Sequence, residues 1–203
     1  MSSRGVLIVV SGPSGSGKGT LLRELHHEND HVQYSVSATT RAPREGEVVG
    51  KNYFFVSMPE FQEKIERGEM LEFTSYCGNY YGTPRDYVCN SLDAGYDVIL
   101  EIDVVGAIKL MEQGEQAVYI FVMPPSMQEL KKRLVGRNTE PVEAVKKRLA
   151  AATEEIRMAD KYDYIVVNDV IDGAIARLKA IILCHKCKTV NMKYMIEEVL
   201  ADA

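Results

Sequence analysis

Residues Val6–Leu22 read VLIVVSGPSGSGKGTLL. Five aliphatic residues run into a glycine-punctuated turn, and the turn runs into the helical pattern TLLRELHHE. A short, continuous apolar run of this kind suits a strand buried on both faces of a parallel sheet. The turn spells G-x-x-x-x-G-K, from Gly12 to Lys18. Its glycines let backbone amides turn toward an anion, and the following helix adds the positive end of its dipole. Strand, loop and helix in that order are the context a phosphate-binding loop requires. No other stretch restricts the fold as much, because the loop must hang from the C-terminal end of a buried strand. The expected cradle for a nucleoside triphosphate is Gly12, Pro13, Ser14, Gly15, Ser16, Gly17, Lys18, Gly19 and Thr20, with Lys18 reaching the β- and γ-phosphates. The usual hydroxyl after the lysine is displaced by one position, to Thr20. A magnesium ion would meet Thr20 directly or through water, since magnesium keeps several waters.

The remaining chain repeats the alternation. Apolar runs predict strands at 5–11, 53–56, 70–76, 97–102, 117–123 and 164–168. Helical periodicity predicts helices at 18–28, 59–67, 84–94, 104–112, 126–136, 141–158 and 171–185, the last continuing towards 199. Ser126 with Glu129 forms a capping box, Pro84 and Pro141 sit at first helical positions, and Gly68, Gly95 and Gly114 stand where helices stop. The expected fold is α/β: a parallel sheet core flanked by helices, with right-handed crossovers. Residues 35–96 break the rhythm with short, half-polar strands rich in Tyr, Gly and Arg. They predict a smaller insertion set into a core of 1–34 and 97–203. The Arg- and Lys-rich residues at about 126–150 predict a mobile lid.

Composition narrows the function. The chain has 203 residues, 46% hydrophobic and 26% charged, and a formal net charge of −5. That balance argues against nucleic acid as a partner, so an anionic substrate must meet locally concentrated arginines. No apolar run is long enough for a membrane span, and a cytoplasmic location is expected. Cys184 and Cys187 form a C-x-x-C without a second pair, so reduced thiols on a C-terminal helix are expected rather than a zinc site.

A second anion site is expected in YSVSATTRAPREGE, where Arg41 and Arg44 flank the stiffening Pro43. Arginines this close repel unless they share an anion, and guanidinium suits bidentate phosphate contact. Downstream, MLEFTSYCGNYYGTP supplies Glu72 and a compact patch of tyrosines. VILEID then sets Glu101 and Asp103 at the C-terminal end of a buried strand, where a carboxylate can organise magnesium or read a base.

The blocks SGPSGSGKGT, SVSATTRAPREGE, GNYYGTP, EIDVVGA and LKKRLVGRNTE, in this order over residues 5 to about 182, resemble the guanylate kinases. The GKGT ending also resembles the loop of adenylate kinases. The first resemblance implies transfer of phosphate from ATP to GMP or dGMP, with magnesium. It implies that Arg41, Arg44, Tyr53 and Tyr81 hold the GMP phosphate, and that Ser37, Glu72, Thr83 and Asp103 read guanine. The chemistry agrees: a carboxylate accepts from guanine N1 and N2, hydroxyls donate to O6, and adenine would set a lone pair against Glu72. Arg133, Arg137 and Arg148 match the family's lid arginines, which close over ATP and the moving phosphoryl group. The rival expectations are a kinase for another monophosphate and a guanylate-kinase-like module that binds peptides without catalysis. The tail from Cys184 to Ala203 falls outside the resemblance, and the oligomeric state stays open.

Overall fold

A computed structural model describes residues 4–76, 78–135 and 142–201. Its centre is a five-stranded sheet of order β2-β7-β1-β8-β9, built from β1 (Leu7–Ser11), β2 (Val32–Tyr34), β7 (Asp97–Glu101), β8 (Val118–Met123) and β9 (Tyr164–Val167). All four pairings are parallel. β1 lies in the middle and is buried from end to end, as its aliphatic run requires.

Alternation along the strands divides the core into two layers. On one face Ile8 and Val10 meet Leu21, Leu22 and Leu25 of α1 (Lys18–His27) and Ala174, Ile175, Leu178 and Ile182 of α7 (Ile171–Lys186). On the other, Leu7, Val9, Leu100 and Phe121 meet Val88 and Leu92 of α3 (Arg85–Asp93) and Val104, Ala107 and Leu110 of α4 (Val104–Glu112). Each fully buried aliphatic or aromatic side chain contributes about 1.5–3 kcal/mol by leaving water.

A second sheet of order β4-β3-β6-β5 combines β3 (Ala38–Thr39), β4 (Phe54–Phe55), β5 (Met70–Tyr76) and β6 (Asn79–Pro84). Helix α2 (Met58–Glu66) drives Phe61 into it against Ala38 and Met70. Its start is fixed by a capping box between Ser57 and Glu60, a signal that sequence reasoning missed. Helices α5 (Met127–Val135) and α6 (Val142–Arg157) share a small core of Leu130, Leu134, Val145 and Ala152.

Three strands were not expected from the sequence. β2 and β3 span only 3 and 2 residues, too short for periodicity to register. β6 (NYYGTP) is tied into its sheet by antiparallel pairing with β5. At α5 the expected capping box is half formed: Glu129 N–H donates to Ser126 Oγ at 3.1 Å, but the Glu129 carboxylate turns to Arg133 instead. Pro84 flanks α3, whose first residue is Arg85, and Pro141 lies outside the described residues.

The helix expected at 171–185 is α7, but its continuation towards 199 is corrected. α7 ends at Lys186, Lys188 is extended, a 3-10 turn covers Thr189–Asn191, and α8 (Lys193–Ala201) follows with none of its residues buried. Asn191 closes the break by donating from Nδ2 to the His185 carbonyl at 2.8 Å. Cys184 and Cys187 are exposed free thiols at the end of α7.

Candidate active site

The phosphate loop leaves β1 at Ser11 and enters α1 at Lys18. Gly17 adopts φ +87°, and a Cβ there would stand 2.3 Å from Asn168 Nδ2. Only glycine meets both demands. At Gly12 a Cβ would stand 2.3 Å from the Val122 carbonyl oxygen. The stretch from Pro13 to Thr20, closed by Arg23, Tyr34 and Glu101, encloses a pocket of about 510 Å³. Lys18 folds back over the loop, with Nζ 3.4 Å from the Gly12 carbonyl oxygen and 3.6 Å from the Glu101 carboxylate. Thr20 is exposed on the pocket wall, one helical step past Gly19.

The loop is braced from behind. The Ser16 carbonyl accepts from Asn168 Nδ2 at 2.7 Å and from Arg133 at 3.2 Å. Arg133 also donates to the Asn168 carbonyl at 3.1 Å and pairs with Glu129 at 3.2 Å. Arg148, from α6, donates to Ser14 Oγ. Two of the three arginines expected to close over ATP therefore reach the loop, one at its backbone and one at a side chain. Arg137 lies outside the described residues. A cleft of about 350 Å³ opens on this side between Gly17, Thr20, Arg133 and Asn168.

The second pocket, about 210 Å³, gathers Ser37, Tyr53, Glu72, Tyr81 and Asp103, together with Thr74 and Glu101. Cross-strand register explains the gathering, since Glu72 of β5 pairs with Thr83 of β6. The buried Thr83 donates from Oγ1 to Glu72 Oε1 at 2.8 Å. Burial pushes the Glu72 carboxyl above the usual carboxylate range; the Thr83 hydrogen bond works against that shift and the charge of Asp103 adds to it. Asp103 also caps α4, accepting from Gly106 N–H at 2.7 Å.

Arg41 stands behind Tyr53, its guanidinium 5.5 Å from that ring, and Tyr53 lies 6.0 Å from Tyr81. The anion that the two arginines share is internal: Glu47 takes Arg41 in a bidentate pair at 3.0 and 2.8 Å and accepts from the Arg44 backbone N–H at 2.7 Å. The Arg44 side chain is exposed and lines neither pocket. Sequence reasoning missed Glu47, although an acid six residues after Arg41 is a visible signal. It also missed Asn168, which the rule about ligands at C-terminal strand ends could have found in YIVVND. Glu101 was noticed with its role open; it walls both pockets.

A parallel sheet with a phosphate loop after its central strand, arginines from a neighbouring helix pair, and a carboxylate-lined pocket across Glu101 define a P-loop nucleotide kinase. The chain matches the family described as "Guanylate kinase" over residues 4–184. It is 54% identical to the guanylate kinase of Halalkalibacterium halodurans over 91% of each chain. It is 49% identical to that of Desulfitobacterium hafniense over 97% of this chain and 98% of the relative. The crystal structure of guanylate kinase from Anaplasma phagocytophilum superposes with a TM-score of 0.71 at 37% identity, covering 97% of this chain and 95% of that one. The chain belongs to the guanylate kinase family.

Proposed function

We propose that the chain transfers the γ-phosphoryl group of ATP to GMP or dGMP, giving ADP and GDP or dGDP, within purine nucleotide metabolism in the cytoplasm. The observation that carries this reading is the half-buried Glu72, held by the Thr83 hydroxyl, in a pocket that shares the Glu101 wall with the phosphate loop. In this reading residues 35–96 form the acceptor-binding insertion and 126–150 the lid. Glu72 accepts from guanine N1 and N2 and is held in place by the Thr83 hydroxyl, which donates to it, while Ser37 supplies a hydroxyl to the base and Asp103 a second carboxylate. A site built on such bonds rejects a base that leaves them unmade, by up to about 10⁴–10⁵.

A GMP phosphate oxygen attacks the γ-phosphorus in line. The new P–O bond forms as the bond to the β,γ-bridging oxygen breaks, and ADP leaves with that electron pair. The acceptor is already anionic, so no general base is required. What the chain contributes is position and charge. Loop amides and Lys18 hold the donor phosphates; Arg41, Arg44, Tyr53 and Tyr81 hold the acceptor phosphate. Arg133, Arg137 and Arg148 stabilise charge on the transferring group as the lid excludes water. The cleft beside Gly17 and Asn168 has room for the ATP base.

The Thr20 hydroxyl and the Glu101 carboxylate form an oxygen donor set on the loop pocket, which suits Mg²⁺. When bound, magnesium neutralises phosphate charge. The test is ADP release from ATP and magnesium with GMP, dGMP, AMP, CMP and UMP as acceptors. Release should follow the guanine nucleotides alone. An equal rate with AMP would overturn the guanine assignment, and no acceptor-dependent release would leave a phosphate-binding module without transfer.

A further inference from the structure

At the end of the main sheet opposite the nucleotide pockets lies another cavity, of about 680 Å³. Small-molecule sites span about 300–1,000 Å³ and combine an apolar lining with a few polar groups. The floor here is apolar, formed by Leu7 where β1 begins and by Leu92 at the end of α3. The rim carries Arg4, Lys188 and Lys193, with Tyr194 presenting a ring beside them. Among the described residues no Asp or Glu lines the cavity. In a chain of net charge −5, three cations meeting without an acid on the wall is a local reversal of sign.

The state of those cations sharpens the point. Arg4 donates through Nε to Asp93 at 2.8 Å, which leaves its terminal nitrogens. Lys186 of the same tail is committed to the buried Asp97 at 2.7 Å and does not line the cavity. Lys188 and Lys193 have no ion-pair partner among the described residues. Their spacing is set by the 3-10 turn between α7 and α8, which Asn191 pins to the His185 carbonyl. One side of the wall, from Lys188 to Tyr194, lies beyond the 4–184 that match the family, whereas Arg4, Leu7 and Leu92 lie within it.

We infer that this cavity binds a small organic anion, with a phosphate or carboxylate head on the Arg4–Lys188–Lys193 rim and an apolar body against Leu7, Leu92 and Tyr194. Charge complementarity on the rim selects the head, and the apolar floor selects the body.

The test is calorimetric titration of the full chain with GMP and a non-hydrolysable ATP analogue held at saturation, so that both nucleotide pockets are filled. The probes are 1-naphthyl phosphate, 1-naphthoate and uncharged 1-naphthol. One-site binding of at least one anionic probe is expected, with little binding of 1-naphthol. Affinity should fall roughly tenfold or more in the Lys188→Glu/Lys193→Glu double variant. Whichever anion binds more tightly identifies the head group. Both lysines are exposed and remote from the phosphate loop, so the variant should keep its circular dichroism spectrum and its rate of transfer to GMP. The proposal falls if neither anion binds below roughly 1 mM. It falls equally if the double variant binds both anions unchanged, or if 1-naphthol binds as tightly as they do.

Discussion

Glu72 is held in a place where its charge is expensive, beside Thr83 and facing Asp103. A carboxyl whose pKa is raised on folding binds protons more readily in the folded state than in the unfolded one. Its contribution to stability is therefore greatest below the ordinary carboxylate pKa and is lost as pH rises through the raised value. Ligand binding runs the other way, because only the ionised form accepts from guanine N1 and N2. KM for GMP should fall as pH rises through that raised pKa. Glu72→Gln should raise KM, flatten the pH profile, and melt at progressively higher temperature relative to wild type as pH increases. A mutant profile parallel to wild type would remove Glu72 from guanine recognition. Lys18→Met should cut turnover by about 10²-fold or more with circular dichroism unchanged, since it removes a charge at the donor phosphates. Arg44→Met should do the same, and it is the sharper measurement. Arg44 is exposed here while Arg41 is tied to Glu47, so the proposed role would need the 41–47 loop to turn toward the acceptor phosphate. Normal turnover would place Arg44 outside the reaction. Glu72 was legible as a candidate because it sits in a short strand within a recognisable block. Thr83 was named beside it through the same resemblance, but the hydrogen bond between them became legible only through β5–β6 register, a relation between residues that periodicity does not carry.

Among the elements, the junction of β1, loop and α1 is the most constrained. Gly17 begins the helix in a left-handed conformation, with the Asn168 amide where a side chain would stand. Gly17→Ala should displace Asn168 from the Ser16 carbonyl and raise KM for ATP by an order of magnitude or more. KM for GMP should change far less, which steady-state kinetics in both substrates would check. The elements that sequence reasoning found are those with strong periods: buried runs such as VLIVV and VYIFVM, and helices with apolar stripes. Those it missed are fixed by partners. β2 and β3 exist because β7 and β6 pair with them, and neither is long enough to show alternation. The helix break after Lys186 escaped because KTVNMK carries no glycine or proline. It is made by a side-chain bond, from Asn191 to His185, that competes with the helical pattern. The loop's place between β1 and α1 was legible, whereas its braces come from α5, α6 and the end of β9.

For the whole molecule, sheet order separates neighbours in space from neighbours in sequence. The central strand comes first in the chain, yet it pairs with β7 and β8, about ninety and a hundred and ten residues later. Asp97 shows the same reach: fully buried, it accepts from Val6 N–H at 3.0 Å and holds Lys186 at 2.7 Å. This geometry makes the α/β class legible from alternation alone, while the contacts that finish the phosphate loop stay hidden. The longest of them has a consequence for synthesis. Ser16 and Asn168 are 152 positions apart. At about 5–20 residues per second, a ribosome makes the loop roughly 8–30 s before the amide that braces it. Until then the glycines are free to wander, and the α1 face that α7 will cover is open to water. The newborn chain carries its nucleotide signature long before it can grip a nucleotide. Ribosome-stalled chains should gain protection from protease by an ATP analogue only once Asn168 and α7 have left the tunnel; protection of shorter chains would mean that the loop closes without its brace.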